Sequence, residues 1–281
     1  MSILHKIPIV HSPVSEDMST EHVRDASTSE LSIANTELDF PRVSLKESTD
    51  SSYVHLAAEI DGPLASFLPI FLFDSGKKRT LIAACKELCQ QLRDEDLVVD
   101  ATVFKATLIP PGQGEYLDRT DEDVHIAKFD VVVLIEVEDE AALQRLKRNE
   151  TYVALESTIV EDASYSHITA ATNVKRIDSV NHERDGIFLF NYFFAESTRQ
   201  NIEVWEYTAG WFEAETGLDN STLLVPDDPD RSEYALINHC RWERLRDVLP
   251  SIRFKSSFEE YVLANFEANR VAAIPILYKL A

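Results

Sequence analysis

Apolar and polar positions divide the chain into three stretches. Residues 1–50 show no sustained period and hold 13 Ser or Thr, which predicts a flexible acidic N-terminal arm. From Tyr53 the pattern tightens. Ala65–Phe73 is apolar and predicts a strand, with Pro69 marking an edge or bulge. After Asp74-Ser75-Gly76, Leu81, Cys85, Leu88 and Leu92 recur at three- and four-residue spacing, predicting a helix over 77–93 with one apolar face. Residues 97–109 alternate as a strand and stop at Pro110-Pro111-Gly112. Phe129–Val137 is a near-continuous β-branched run, the mark of a central strand. Asp139 caps a helix reaching about Asn149. Residues 152–160 or 166–177 supply the next strand.

Asp178–Asp185 is polar apart from Val180 and predicts a linker. The pattern then restarts. Gly186–Ala195 (GIFLFNYFFA) is an aromatic-rich strand. Ser197 with Gln200 forms a capping box for a helix running to Thr216, and Gly217 ends it in the left-handed conformation. Ser221–Val225 is a short strand, Pro226–Ser232 a turn and Tyr234–Trp242 a further strand. Ser256 with Glu259 forms a second capping box, opening a helix with Phe258, Val262, Leu263 and Phe266 on one face. Pro275–Leu280 is the last strand. Both halves thus run β-α-β-β-α-β, the ferredoxin-like order. The predicted fold class is α+β: an N-terminal arm (1–50), a first repeat over 51–178 and a second over 186–281. A four-stranded sheet with helices on one side leaves its other face bare. Packing the two sheets together into an α+β barrel covers both.

Composition narrows the function. Of 281 residues, 49 are acidic and 27 basic, a formal net charge of -22. That balance disfavours nucleic acid and anionic membrane surfaces as partners. The acids collect in the arm, in the 115–123 loop and at element ends such as Asp94–Asp96, not on the strands of the second half. Seven glycines include no GxGxxG or GxxxxGK, which disfavours dinucleotide folds and P-loop NTPases. Three cysteines, Cys85, Cys89 and Cys240, read as reduced thiols in a cytoplasmic protein, the first two as core residues. No HExxH, CxxC or GxSxG occurs, and the acidic loop Asp118–His125 lacks the spacing of a calcium loop, so no metal is expected. No apolar span of 18 residues predicts a transmembrane helix, and Lys6, His11 and several prolines interrupt any signal-type segment.

The uncharged second half carries the candidate chemistry. Asn191 interrupts an apolar strand, and a buried amide is costly unless hydrogen-bonded. It reads either as a group that orients a substrate carbonyl or phenol, or as an amide satisfied by backbone. Along Tyr234–Trp242 the side chains alternate: Leu236, Asn238, Cys240 and Trp242 share one face, Ile237, His239 and Arg241 the other. Spacing does not choose which face lines a cavity. His239 could serve as a general base, or as a structural hydrogen-bond donor. Arg241 could pair with a phenolate or with a surface acid. The helix 198–216 presents two aromatic stripes, Trp205 with Phe212 and Tyr207 with Trp211; one packs on the sheet, the other faces a cavity or partner. Gly210 permits the close approach of a strand or a ligand.

GIFLFNYFFA, NIEVWEYTAGWFEAETG, YALINHCRW and PILYKLA together resemble the dimeric α+β barrel superfamily, within it the antibiotic-biosynthesis monooxygenases. A two-repeat chain of this length also resembles the oxygenases that open or hydroxylate aromatic polyketide rings. The resemblance implies a cavity between sheet and helices for a planar aromatic substrate, oxidised without a metal, with reduced flavin (FMNH2 or FADH2) or with no cofactor. The positions it matches are Asn191, Trp205 or Trp211, and His239 or Trp242; together with the residue pattern above, the candidate catalytic residues are Asn191 and His239 and the candidate substrate-binding residues Trp205, Tyr207, Trp211, Arg241 and Trp242. The first repeat has no equivalent Asn. Expected partners are a small aromatic substrate, a second copy of the chain and a flavin reductase. Alternatives are a cofactor-free cyclase or isomerase, a haem-binding barrel with His239 or His167 as axial ligand, and a non-enzymatic small-molecule binder.

Overall fold

Eight antiparallel strands close into one barrel with helices packed on its outside. The computed structural model describes residues 31–63, 70, 71, 73–110, 116, 117 and 124–281; Leu31–Ala281 form one compact unit. The first half runs β1 (Ser52–Glu59), α1 (Gly76–Arg93), β2 (Val98–Leu108), β3 (Val131–Val137), α2 (Glu140–Leu146), α3 (Glu150–Asp162) and β4 (Tyr165–Arg176). The second runs β5 (Ile187–Ala195), α4 (Thr198–Thr216), β6 (Thr222–Pro226), β7 (Leu236–Trp242), α5 (Leu245–Phe254), a π-helical turn (Phe258–Leu263), α6 (Ala264–Ala268) and β8 (Val271–Leu280). Strand order around the barrel is β1-β3-β2-β8-β5-β7-β6-β4. Each half therefore keeps the ferredoxin-like order, β4-β1-β3-β2 and β8-β5-β7-β6. The halves join at two equivalent seams, β2·β8 and β4·β6, each with a register shift, at Ala106/Leu108 and Asn173/Lys175.

Several local expectations change. The first strand is Ser52–Glu59; of the expected strand 65–73, only 70, 71 and 73 are described, and Ile70 makes a single bridge to Leu108. The helix expected over 139–149 ends at Leu146, and Asn149 caps a second helix across 150–162, where a strand was one option. Val153, Thr158, Ile159 and Val160 suit strands, but the Asn149 Oδ1 bonds to the Thr151 and Tyr152 N–H groups start a helix. Ser197 caps α4, yet the Gln200 side chain turns to Asn269 instead of closing the box. Ser256 and Glu259 form no capping box: α5 precedes them, and Phe258–Leu263 continues as a π turn. The last strand starts at Val271.

Three apolar clusters follow from strand alternation. Phe104, Phe188, Phe190, Tyr192, Tyr234 and Tyr278 fill the lumen. The outer face of the first half packs on α1–α3 through aliphatic residues and Cys85 and Cys89. The outer face of the second packs on α4–α6 through Trp205, Trp211, Phe258 and Phe266. Of the expected arm, residues 1–30 lie outside the described residues. Residues 31–45 lie against the second half: Ser32 and Ala34 donate to Asn269 and Asn265, and Arg42 covers the Tyr207 ring; Lys46 then bridges to Arg176 of β4. Gly210 is required there, because a Cβ would collide with the Pro41 carbonyl oxygen. The approach it permits is that of backbone.

Candidate functional site

Asn191 lies mid-strand on β5, the central strand of the second half. It is in register with Asn238 of β7 on one side and Pro275 of β8 on the other. All three face the helices. Between them and α4, α5 and the π turn lie two small adjoining cavities of about 30 and 40 Å³. Leu189, Asn191, Phe212, Trp242 and Phe266 line both. Trp205, Thr208, Ser221, Asn238 and Cys240 complete the first; Phe258, Val262 and Pro275 are among those completing the second. Among the described residues, no charged side chain lines either one.

Among the described residues, the hydrogen bonds of this crevice leave one fully buried oxygen over. Ser221 Oγ donates to Asn238 Oδ1 at 2.6 Å. Trp242 Nε1 donates to Thr216 Oγ1 at 2.9 Å. Thr208 Oγ1 donates to the Val204 carbonyl. Among the described residues, the buried Asn191 Oδ1 has no partner. Such an orphan costs on the order of 1–3 kcal/mol, and a ligand hydroxyl would recover that cost. Burial pushes the Cys240 thiol up, so it stays a neutral, unreactive wall.

The seven side chains singled out from the sequence separate into four places. Asn191, Trp205 and Trp242 meet in the crevice. Tyr207 stacks on Tyr261 beneath Arg42. Trp211 is fully buried, its Nε1 bonded to Ser257 Oγ. His239 and Arg241 lie on the other face of β7. The Arg241 guanidinium is occupied by the Arg184 and Asp185 carbonyls and by Glu243. His239 stacks on Phe190 in the lumen with ring centroids 4.2 Å apart. Asn191 and His239 thus lie on opposite faces of one sheet.

The lumen holds a second set of polar groups. His55, His167 and His239 are buried there, and His125 and His182 approach its two mouths. Burial, joined by the neighbouring imidazoles, drives His55 and His239 well below the usual histidine range and His167 down to about 4, so all three are neutral near pH 7. Asp100 binds His182 Nδ1 at 2.6 Å. Burial alone would raise the Asp100 pKa; the hydrogen bond and charge of His182, with Thr102, hold it below the usual carboxylate range. Neither His182 nor Asp100 is marked by the sequence, because 82 residues separate the pair. Ser221 is likewise unmarked; its partner Asn238 shows only through alternation. Among the described residues, no three His, Cys, Asp or Glu side chains converge as metal ligands, and no helix is long and apolar enough to cross a membrane.

No family model and no curated protein sequence matches the chain. Solved structures do. An anthrone oxidase-like protein superposes with a TM-score of 0.57 at 11% identity, covering 85% of this chain and 94% of that one. A candidate monooxygenase from Fusobacterium nucleatum superposes with a TM-score of 0.50 at 10% identity, covering 83% and 95%. A haem-binding protein from Thermus thermophilus gives 0.42 at 10% identity, covering 86% and 95%. At these identities the first two likenesses show the shared α+β barrel fold.

Proposed function

We propose that the chain is an oxygenase for an aromatic polyketide-like small molecule of secondary metabolism, with the helix-side crevice of the second half as its active site. The observation that carries this is the unpartnered Asn191 Oδ1 at the wall common to both cavities. It would accept a hydrogen bond from a phenol or enol hydroxyl. Trp205 and Trp242 would pack on the ring. The dry, uncharged lining would exclude water while the electron-rich ring reacts with oxygen. The presence of a monooxygenase-named and an anthrone oxidase-like protein among the structural neighbours supports the reaction class.

His239 does not join this site, since the sheet separates it from the crevice. The lining suits a flat ring but offers no cation for a flavin phosphate, so the proposed chemistry involves substrate and oxygen alone. A haem in the crevice would find neither His239 nor His167 there. Oxygen uptake with an anthrone, with and without reduced flavin and its reductase, tests the proposal. Uptake without flavin, lost in Asn191→Ala with the fold intact, is expected. Product without oxygen consumption would replace it with a cyclase or isomerase in the same crevice. Unchanged uptake in Asn191→Ala would remove the crevice from the mechanism.

A further inference from the structure

We propose that His182 and His239 form a binding site for a divalent transition-metal ion at one mouth of the barrel. This site is separated by the sheet from the Asn191 crevice and does not depend on the function proposed above. The two Nε2 atoms face each other at 2.9 Å. Both remaining ring nitrogens are engaged: His182 Nδ1 with the Asp100 carboxylate at 2.6 Å and His239 Nδ1 with the Leu189 carbonyl at 3.0 Å. A carbonyl oxygen only accepts, so His239 carries its proton on Nδ1 and presents a lone pair at Nε2. His182 donates from Nδ1 to the carboxylate, so its neutral form also presents a lone pair at Nε2. Two facing lone pairs repel unless a cation lies between them. A proton is one such cation; a metal ion is the other.

Three observations favour a metal site. An imidazole that binds through one nitrogen while its other N–H donates to a carboxylate or a backbone carbonyl is the arrangement that orients histidines at metal centres. Here both rings have it. Two ring nitrogens about 3 Å apart also match adjacent ligands on one ion with bonds of roughly 2.0–2.1 Å. Finally, the pair opens on a cavity of about 50 Å³ whose wall includes Tyr53, Glu136 and Thr222. That space leaves the remaining coordination positions to water, since among the described residues no third His, Cys, Asp or Glu joins the pair. Arg176 lines the same cavity, but the Glu47 carbonyl and Ser179 hydroxyl hold its guanidinium. Imidazole donors select zinc, copper, nickel or iron over magnesium or calcium.

The test is titration of the full, chelator-stripped chain with Zn²⁺ and with Co²⁺, followed by calorimetry and by Co²⁺ visible absorption. We expect one ion per chain, held by the two imidazoles with water in the remaining positions. His182→Gln, on the inter-repeat segment, should weaken binding tenfold or more. Asp100→Asn should weaken it by about tenfold through loss of the carboxylate that orients His182. Absence of uptake overturns the proposal. So does uptake unchanged in His182→Gln, which would assign the ion to other donors such as His5, His11 and His22. Should His182→Gln fail to fold, Asp100→Asn decides alone: unchanged affinity there overturns the site.

Discussion

The two halves share strand order and helix placement, yet differ in the middle of the helix-facing row. Across the first sheet that row is Val133, Leu56 and Ile168; across the second it is Asn238, Asn191 and Pro275. The first half closes its interface with aliphatic side chains. The second uses amides, a proline and large aromatics, whose shapes leave space between sheet and helices. Among the described residues, the unpartnered buried nitrogens of the first half belong to His55 and His167 and face the lumen, whereas Asn191 Oδ1 faces the helices. One architecture thus supports an aliphatic interface in one half and an amide-lined crevice in the other. The difference resides in a few side chains, not in backbone topology.

Exchanging those side chains should break the contrast. Leu56→Asn would place an amide in the filled interface and should cost about 3–5 kcal/mol, read from urea unfolding. The reciprocal Asn191→Leu should change stability by less than about 1 kcal/mol, because it removes an orphaned group, while abolishing substrate-dependent oxygen uptake.

Acid should probe the lumen side of the first half. The native His167 pKa is held near 4, below the ordinary histidine value. The unfolded chain therefore takes up the proton first as pH falls through the ordinary range. Stability should decline from about pH 6.5 towards 4, by up to about 3 kcal/mol from this residue, with His55 adding in the same direction. His167→Gln should flatten that slope in unfolding curves measured at each pH.

Smaller effects should separate cover from crevice. Gly210→Ala would drive a methyl into the Pro41 carbonyl; we expect a loss of about 2 kcal/mol and faster proteolysis around residues 38–45. Thr216→Val leaves the Trp242 indole N–H without its acceptor and should cost about 1 kcal/mol, with a faster dissociation of bound anthrone.

The second half is the more legible from sequence because its strands are long apolar runs and Ser197 and Gly217 mark both ends of α4, although the Ser256/Glu259 spacing misleads. β1 was hidden: His55 breaks an otherwise apolar run, and the neighbouring 65–73 stretch is more uniformly apolar. α5 was hidden by Pro250, which lies inside that helix. Asn191 could be singled out because a lone amide in an apolar strand is a local anomaly. Its separation from His239 could not, since period-two alternation defines two faces without saying which meets the helices. The Asp100–His182–His239 contacts are beyond any local pattern: they join β2, the inter-repeat segment and β7, and exist only once the barrel has closed.

That closure has a consequence for solution behaviour. VVVLIEV and GIFLFNYFFA are the kind of segment that recruits identical copies into cross-β assemblies. In the closed ring each lies between two partners, β3 between β1 and β2, β5 between β7 and β8. No strand of the ring offers an unpaired edge. Protection against aggregation therefore rests on the two seams, and a variant that loosens β2·β8 or β4·β6 should precipitate under conditions where it is still mostly folded.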